Sequence, residues 1–370
     1  MSSILQVVPA LNAGGVERTV IEIAQALKAA GFTPLVASEG GRLEPELAAA
    51  GGELIRLQMS TKLPHTLIAN ALRLATIARE RGVTLIHARS RAPAWSALMA
   101  ARRAKVPFVT TYHGIYNAGN PLKRFYNSVM VRADAVIANS QWTADHILAE
   151  HKLDPQKLTV IPRGVDLARF DPAGIAPDDV AGLRAEWGAK PDDIVVLLPG
   201  RLTRWKGQSV LIDAMARLNN PRVLAVLLGD AQGRAAYETE LRNAIATCGA
   251  RVALAGHAAD MPRAYLAADI VVSASTDPEA FGRVAAEASA MGRAVIATDH
   301  GGARETVLAG ESGLLVPPGD AGALAGAIAQ LLDADRAAMG ARGRAHIAAR
   351  YSLERMCADT LALYRKLIGP

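Results

Sequence analysis

The chain has 370 residues, of which 51% are apolar and 21% are charged. This length suits two domains, and the composition excludes a disordered protein. No apolar run approaches the roughly 20 residues that a membrane-spanning helix requires. The two cysteines, Cys248 and Cys357, show neither a disulfide framework nor a metal-binding spacing. No basic region precedes the first apolar stretch, so we expect a first strand there instead of a signal peptide, and a cytoplasmic location.

The charge is unevenly distributed along the chain. Residues 1–165 hold 19 Lys and Arg against 11 Asp and Glu, whereas residues 166–370 hold 22 against 24. A basic first half favours an anionic partner, such as a phosphorylated glycan, lipid headgroups or nucleic acid. Ordinary solubility explains the same excess equally well.

Apolar runs alternate with amphipathic stretches along the first half. The runs predict strands at 4–11, 32–37, 53–57, 83–88, 108–112, 135–139 and 158–161. Val16, Val20 and Leu27 recur at helical spacing after the first run, and Gly31 marks the end of that helix. This alternation predicts a parallel sheet with helices on both faces.

The segment 166–192 interrupts the alternation, because it contains Pro172, Gly174, Pro177 and Pro191. It predicts a linker with a short helix near 180–187. A second series of strands follows at 194–198, 223–228, 252–255, 270–274, 294–298 and 313–316. We therefore predict an α/β protein with two doubly wound, Rossmann-like domains, 1–165 and 193–350, which face each other across a cleft. A C-terminal helix within 351–370 is expected to pack back on the first domain.

Two glutamates carry the most specific signal. Glu279 falls on a loop at the carboxyl end of the strand 270–274, Phe281 and Gly282 open the next helix, and Glu287 lies in its second turn. The unpaired N–H groups at a helix N-terminus suit a phosphate, and carboxylates suit the hydroxyls of sugars and ribose. This arrangement predicts a site for a nucleotide sugar.

Three other loops supply candidate residues. Gly14 and Gly15 link the first strand to the first helix, where backbone approaches a ligand closely, although a structural turn explains them equally well. Arg201 and Lys206 share one loop after a strand and suit a diphosphate, the alternative being a solvated basic loop. His113 ends a strand before a glycine, a position that favours a functional role, although a lone histidine is more often a hydrogen-bonded structural residue.

Three arginines, Arg89, Arg91 and Arg163, follow other strands of the basic half. They are candidates for an anionic acceptor, but exposure to solvent is the expectation for each of them. Neither a dinucleotide-binding G-x-G-x-x-G nor a P-loop motif occurs in the chain, and the histidines do not cluster as metal ligands.

Taken together, these residues resemble the retaining glycosyltransferases of family 4, which have the GT-B fold. The resemblance covers nearly the whole chain and rests on these segments in order: Gly14-Gly15, His113-Gly114, residues 160–166, Gly200-Arg201, Lys206-Gly207, Glu279 with Glu287, and Gly301-Gly302 with Glu305. Within the family, residues 279–283 and 299–302 are similar to bacterial lipopolysaccharide core glycosyltransferases.

The resemblance implies a role for each group that would hold the donor phosphates. Arg201 and Lys206 would bind the donor diphosphate. Backbone amides of Phe281, Gly282 and the Gly14-Gly15 turn would also donate to the donor diphosphate.

The remaining candidates would contact the sugars. Glu287 would bind the ribose, Glu279 the hydroxyls of the donor sugar, and His113 the transferred sugar near the reaction centre. Many family members have Asn where this chain has Arg163, and an arginine there fits either an anionic acceptor or a different donor pocket.

The function implied is a retaining, metal-independent hexosyltransferase. It would move a hexose from a UDP- or GDP-linked sugar to an anionic glycan or glycolipid in lipopolysaccharide core or related cell-envelope synthesis. No cofactor, metal or nucleic-acid partner is expected. Leu122, Phe125 and Val129 either rest on the inner membrane surface, which would make the protein peripheral there, or face a core.

Three alternatives remain open at this stage. The first is a nucleotide-sugar epimerase on the same fold. The second is a nicotinamide oxidoreductase, which the missing glycine motif disfavours. The third is a non-catalytic protein that binds sugars or nucleic acid, although an aromatic content of 4% provides few surfaces for stacking bases.

Overall fold

The computed structural model describes residues 2–12, 14–116 and 119–369. Contacts divide the chain into two compact units. The first comprises Met1–Gly164 and Leu353–Pro370, and the second is Val165–Ser352. Each unit is built on one parallel sheet, so the predicted α/β class with two doubly wound domains is confirmed.

The first unit contains a seven-stranded sheet in the order β3-β2-β1-β4-β5-β6-β7. Its strands are β1 (Ser3–Val7), β2 (Thr33–Ser38), β3 (Glu53–Arg56), β4 (Val83–Ala88), β5 (Phe108–Tyr112), β6 (Ala135–Ala138) and β7 (Leu158–Val160). Its helices are α1 (Gly15–Ala29), α2 (Glu44–Ala49), α3 (Pro64–Glu80), α4 (Arg91–Ala104), α5 (Pro121–Asn127), α6 (Gln141–Glu150) and, at the far end of the chain, α15 (Leu353–Ile368).

The second unit contains a six-stranded sheet in the order β10-β9-β8-β11-β12-β13. Its strands are β8 (Ile194–Pro199), β9 (Val223–Leu228), β10 (Val252–Gly256), β11 (Ile270–Ser273), β12 (Ala294–Thr298) and β13 (Gly313–Val316). Its helices are α7 (Pro177–Glu186), α8 (Gln208–Leu218), α9 (Ala235–Thr247), α10 (Met261–Ala267), α11 (Arg283–Ala290), α12 (Ala303–Thr306), α13 (Ala321–Leu332) and α14 (Arg336–Arg350).

The strands are apolar because helices cover both faces of each sheet. All six residues of β9 and all five of β5 are buried. The first strand ends at Val7, earlier than the apolar run predicted, because Pro9 has no N–H to donate to a neighbouring strand. Each sheet therefore places the loops after its strands along one edge, where ligands bind in open α/β sheets.

The segment predicted as a linker packs onto the second unit. It contains a 3-10 helix (Pro172–Gly174) and α7, and α7 contacts α10. Phe170 and Trp187 are buried in the same core as Tyr265. These aromatic side chains give the segment an apolar face, which its prolines and aspartates obscure in the sequence.

The C-terminal helix α15 belongs to the first unit, where it contacts α1 and β4. Met356 and Tyr364 are buried there in one cluster with Ile4, Leu85 and Val109. Within the described ranges, none of the helices combines the length and the hydrophobicity that crossing a bilayer requires.

Candidate active site

The strongest group of candidate residues in the second unit lies where β8 and β11 end. These strands are neighbours in the sheet, and the chain leaves them in opposite directions, from β8 to β9 and from β11 to β12. Such a switch point opens a crevice between the loops that follow the two strands. Lys206 follows β8 in a 3-10 helix (Arg204–Lys206), and Glu279 follows β11.

Lys206 and Glu279 form a shielded ion pair. The Lys206 Nζ donates to Glu279 Oε1 at 2.7 Å, and the two side chains are only 14% and 16% exposed. The Ser275 hydroxyl donates to the same carboxylate oxygen at 2.5 Å. Burial alone would raise the pKa of Glu279, but the Lys206 ammonium and the Ser275 hydroxyl outweigh it and hold the pKa below its ordinary value. The carboxylate is therefore ionised at neutral pH.

The loop that carries Lys206 is fixed in several ways. The Nζ lies 4.4 Å from the centre of the Trp205 ring, a cation–π contact. The Trp205 carbonyl accepts from the Thr276 amide at 2.7 Å. Gly207 has φ +73°, and a Cβ there would overlap the Ala274 carbonyl. A glycine at this position thus lets the loop approach the end of β11.

Arg201 lies on the same loop but is exposed. Its carbonyl accepts from the side-chain Nε2 of Gln208 at 2.9 Å. Its side chain makes no hydrogen bond or ion pair with the described part of the chain. The preceding residue, Gly200, lies against the stem of Lys206, because a Cβ at Gly200 would be 3.5 Å from Lys206 Cδ. The structure therefore brings the Arg201 turn next to Lys206, with a guanidinium available to an anion.

The predicted phosphate-binding backbone begins α11. Gly282 is the N-cap residue with φ +82°, and Phe281 is buried edge-on against Tyr351 at 5.7 Å between ring centres. Among the described residues, the amides of Phe281 and Gly282 donate to no protein acceptor. These donors at a helix N-terminus are suited to an anionic oxygen.

A second glycine pair supports this loop from behind. The Gly302 amide donates to the Glu279 carbonyl at 2.9 Å. A Cβ on Gly302 would overlap the backbone of Phe281, and a Cβ on Gly301 would overlap the backbone of Glu279. Gly301 and Gly302 therefore allow two loops to meet at backbone distance, a packing role that the sequence pattern did not reveal.

Glu287 lies on the buried side of α11, one turn from its start. Its Oε2 accepts from the Tyr265 hydroxyl at 3.0 Å, and its Oε1 accepts from Arg283 at 2.9 and 2.5 Å. Burial is the main cause that raises the pKa of Tyr265 well above its ordinary value, and the charge of Glu287 is the second. A carboxylate can accept about four hydrogen bonds, so these contacts orient Glu287 and leave acceptor capacity.

Ser275 also belongs to this site, although no motif in the sequence indicated it. Besides donating to Glu279, its carbonyl accepts from the Thr298 hydroxyl at 2.9 Å and from His300 Nε2 at 2.9 Å. The available signal was its place four residues before Glu279, at the carboxyl end of a buried strand. Trp205 was missed in the same way, although it directly precedes Lys206.

In the first unit, the glycine turn is held by Arg163. The Gly15 carbonyl accepts from the Arg163 guanidinium, which also donates to the Thr19 hydroxyl at 2.6 Å. A Cβ on Gly15 would overlap that guanidinium. Gly14 is the N-cap residue of α1 with φ +152° and is exposed. Arg163 therefore fastens the start of α1 to the loop after β7.

His113 follows β5 close to this turn. Both of its ring nitrogens are buried, and neither has a hydrogen-bond partner among the described residues. Burial, followed by the charges of Arg163 and Arg89, lowers the pKa of His113 well below its ordinary value. The imidazole is therefore neutral, and its unsatisfied nitrogens are suited to a ligand hydroxyl.

The expectation that Arg89 is exposed is wrong. Its side chain is buried, donates to Gln6 Oε1 at 3.0 and 2.8 Å, and lies 3.4 Å from the Tyr364 hydroxyl. Gln6 comes from β1 and Tyr364 from α15, so the partners that permit burial are remote in sequence. Arg91 is half-buried, with its guanidinium 4.1 Å from the centre of the Tyr116 ring.

Each unit thus gathers a separate set of candidate residues. In the first, Arg163 donates to Gly15 and lines one small cavity with His113. The second holds Arg201, Lys206, Glu279, Phe281, Gly282 and Glu287 on the loops after β8 and β11 and on α11. In the described part of the chain, no three metal-ligating side chains are grouped to hold an ion. The second set can bind an anionic group between two cations and a helix N-terminus, with carboxylates beside it for hydroxyl groups.

Comparison with known proteins identifies the family. The profile described as Glycosyltransferase Family 4 matches residues 13–169, and that of the Glycosyl transferases group 1 matches residues 180–346. The chain belongs to the family 4 glycosyltransferases. The match confirms the predicted enzyme class, a hexosyltransferase of family 4. It also confirms that the enzyme is a glycosyltransferase that acts on a nucleotide sugar.

Two curated relatives illustrate the similarity. A D-inositol 3-phosphate glycosyltransferase from Segniliparus rotundus is 34% identical over 287 residues, which are 71% of this chain and 62% of the relative's length. A GDP-mannose-dependent monoacylated alpha-(1-6)-phosphatidylinositol monomannoside mannosyltransferase from Corynebacterium glutamicum is 34% identical over 320 residues, 82% of this chain and 81% of the relative.

Solved structures confirm the GT-B fold class. A glycosyltransferase from Rickettsia africae has a TM-score of 0.92 and 36% identity, covering 99% of this chain and 98% of that one. HepE from Anabaena, in complex with UDP, has a TM-score of 0.88 and 28% identity, covering 99% and 100%.

Proposed function

We propose that this protein is a retaining, metal-independent hexosyltransferase. It transfers a hexose from a nucleoside-diphosphate sugar to the hydroxyl of an anionic glycan or glycolipid. The observation that carries the proposal is the Lys206–Glu279 ion pair at the switch point of the second sheet, at 2.7 Å and largely shielded from solvent.

Lys206 and the groups around it suit a departing diphosphate. An ammonium has three N–H donors, and only one is directed to Glu279, so two remain for phosphate oxygens. Arg201 supplies a planar fork beside it, and the amides of Phe281 and Gly282 add the positive end of α11. As the anomeric C–O bond breaks, negative charge collects on the diphosphate. Fixed donors directed at that charge lower the barrier.

Glu279 and Glu287 position the sugars in this proposal. Glu279 is ionised and held by Lys206 and Ser275, so it accepts from hydroxyls of the donor sugar. Glu287, oriented by Tyr265, accepts from the ribose. His113, neutral and with free ring nitrogens, contacts the transferred sugar. The acceptor hydroxyl attacks from the face that the diphosphate leaves, gives its proton to a departing phosphate oxygen, and the anomeric configuration is retained.

The names of the relatives support two kinds of donor and one kind of acceptor. The Corynebacterium relative is named for GDP-mannose and a phosphatidylinositol mannoside, and the Segniliparus relative for inositol 3-phosphate. HepE binds UDP. We therefore keep UDP- and GDP-linked hexoses as donors. We place the enzyme in cell-envelope glycan synthesis, with an inositol-containing glycolipid or the lipopolysaccharide core as acceptor. We place it in the cytoplasm, at the inner face of the inner membrane.

The test is donor turnover by the purified full chain. UDP-glucose, UDP-galactose and GDP-mannose are each incubated with lipid-linked and soluble acceptors, nucleoside diphosphate release is followed, and the anomeric configuration of the product is read by NMR. We expect release that depends on the acceptor, and a product with the donor's configuration. Interconversion of the sugar without an acceptor would identify an epimerase instead. No consumption of any donor, despite nucleotide binding in a thermal-shift assay, would identify a non-catalytic binder.

A further inference from the structure

Gly15 and Arg163 are fitted to each other in the first unit. Gly15 begins α1, and its φ lies outside the left-handed region, so its own backbone conformation does not require glycine. A Cβ at this position would overlap the Arg163 guanidinium, and the three atoms nearest to that Cβ all belong to this side chain. Arg163 therefore occupies the space that a side chain at residue 15 would need.

Arg163 bonds to the first turn of α1 through its Nη2 atom. This nitrogen donates to the Gly15 carbonyl and, at 2.6 Å, to the Thr19 hydroxyl. The buried Thr19 hydroxyl donates to the same carbonyl at 3.0 Å. The three groups thus bond to one another in a closed ring, and the two bonds from the guanidinium are of the stronger, charge-assisted kind. Together they fix the carbonyl of the first helical residue.

The backbone on both sides of Arg163 is anchored. Before it, the Ile161 amide donates to the Ala138 carbonyl of β6 at 2.9 Å. After it, the Gly164 amide donates to Met356 Sδ of α15 at 3.2 Å. The guanidinium therefore extends to α1 from a loop that is itself held in place.

The start of α1 has donors to offer a ligand. Among the described residues, the amides of Gly15 and Val16 donate to no protein acceptor, as is usual in the first turn of a helix. The Gly15 carbonyl and the Val16 amide belong to one planar trans peptide, so they point in opposite directions. A contact that fixes the carbonyl therefore also fixes the direction of the amide, which is suited to an anionic oxygen.

We propose that Arg163 is a positioning residue of the transfer reaction, which acts through the Gly15–Val16 peptide on the donor diphosphate. An arginine that binds an anionic acceptor would present its guanidinium to solvent. Arg163 is instead half-buried, bonds to α1 and lines a small cavity with Thr19 and His113. This inference rests on the proposed function and on the diphosphate contact implied for the glycine turn, and it assigns Arg163 to the donor instead of the acceptor.

Steady-state kinetics of the full chain separate the two roles. The donor that the wild type consumes, among UDP-glucose, UDP-galactose and GDP-mannose, is varied against its acceptor. For R163A we expect kcat/KM for the donor to fall by about 100-fold, because displacing a group by about 1 Å costs such a factor. The KM for the acceptor should stay within about twofold of the wild type.

Two further variants accompany R163A in these assays. Thr19→Val keeps the branched side chain but removes the hydroxyl, so kcat/KM for the donor should fall by about tenfold. R217Q removes an exposed arginine from α8 and should keep wild-type kinetics.

A second measurement needs neither donor nor acceptor. Hydrogen exchange in the first two turns of α1 should be faster in R163A than in the wild type. Gly15→Ala should lower the melting temperature of the wild type, because its Cβ displaces the guanidinium. In the R163A background it should leave the melting temperature unchanged or raise it, because alanine favours a helix more than glycine does. Gly326→Ala, in α13 with open space around its Cβ, should act equally in both backgrounds.

Each contrary result has a distinct meaning. A raised acceptor KM in R163A with unchanged donor kinetics would overturn the proposal in favour of an anionic acceptor. Wild-type kinetics in R163A, or an equal effect of Gly15→Ala in both backgrounds, would overturn it as well. A wild-type chain that consumes no donor would contradict the proposed function, while exchange and melting would still report whether Arg163 holds α1.

Discussion

Replacing Lys206 with Ala removes the ammonium that pairs with Glu279 and would meet the departing diphosphate. Breaking a fully buried ion pair destabilises a protein by about 3–5 kcal/mol, because one charge stays buried without its partner. Here both side chains keep some solvent contact, 14% and 16%, and Ser275 still donates to the carboxylate. We therefore expect about 2 kcal/mol, which lowers the melting temperature of a unit of this size by roughly 4–8 °C.

The effect on turnover should be larger than the effect on stability. Removing one donor to a developing negative charge typically lowers kcat by about 10²–10³-fold. The double variant K206A/E279Q separates the two effects, because it removes the unpaired charge without restoring the cation. We expect it to regain most of the melting temperature and none of the turnover. Nucleoside diphosphate release and thermal unfolding are measured on the same preparations.

Arg204→Ala is the matched control. Arg204 is two residues from Lys206, but its ion pair with Glu240 is exposed, 73% and 49%. Exposed pairs contribute about 0–1 kcal/mol, so neither stability nor turnover should change appreciably. If K206A keeps turnover within about threefold of the wild type, the role given to Lys206 is refuted. A loss that small is well below the loss expected when such a donor is removed.

The remaining predictions concern pH, backbone shape and metal ions. In the folded protein His113 is neutral, because burial lowers its pKa. In the unfolded chain the same side chain binds a proton below about pH 6.5. The free energy of unfolding should therefore fall on acidification, by up to about 1.4 kcal/mol per pH unit. In His113→Asn that loss should shrink, with the buried His87 still contributing, as read by denaturant unfolding between about pH 7 and pH 5. Gly207→Ala should destabilise far more than Gly249→Ala, because both have φ near +70° but only Gly207 faces a carbonyl, that of Ala274; equal melting temperatures would contradict this. Turnover should persist in EDTA, and a loss that Mg²⁺ restores would contradict the metal-independent mechanism.

Most of the fold could be predicted from the sequence. Strands covered on both faces are continuous apolar runs, so β4 (Val83–Ala88) and β9 (Val223–Leu228) were predicted with their observed bounds. Pro9 shortened the first strand, and the aromatic side chains of the predicted linker tied it to the second unit. The first difference follows from the missing N–H of proline, which an apolar run does not reveal. The second arises from tertiary contacts that hydrophobic periodicity does not encode.

The part of the site that could be predicted consists of residues that directly follow the ends of strands. Lys206 and Glu279 follow neighbouring parallel strands, so their proximity follows from topology. The support from Ser275, and the contact of Gly302 with this loop, depend on side-chain direction and on close packing between loops. The burial of Arg89 depends on Gln6 and Tyr364, which no local pattern links to it.

The return of α15 to the first unit affects the order in which the protein folds during synthesis. The second unit is one continuous stretch, Val165–Ser352, so it has its full complement of residues before the ribosome finishes translation. The first unit lacks α15 until Leu353–Ile368 have been made, and meanwhile Ile4, Leu85 and Val109 lack the helix that covers them. A nascent chain stalled before Leu353 should therefore expose apolar surface at its earliest-made half, a substrate for chaperones, while its later-made half is already compact.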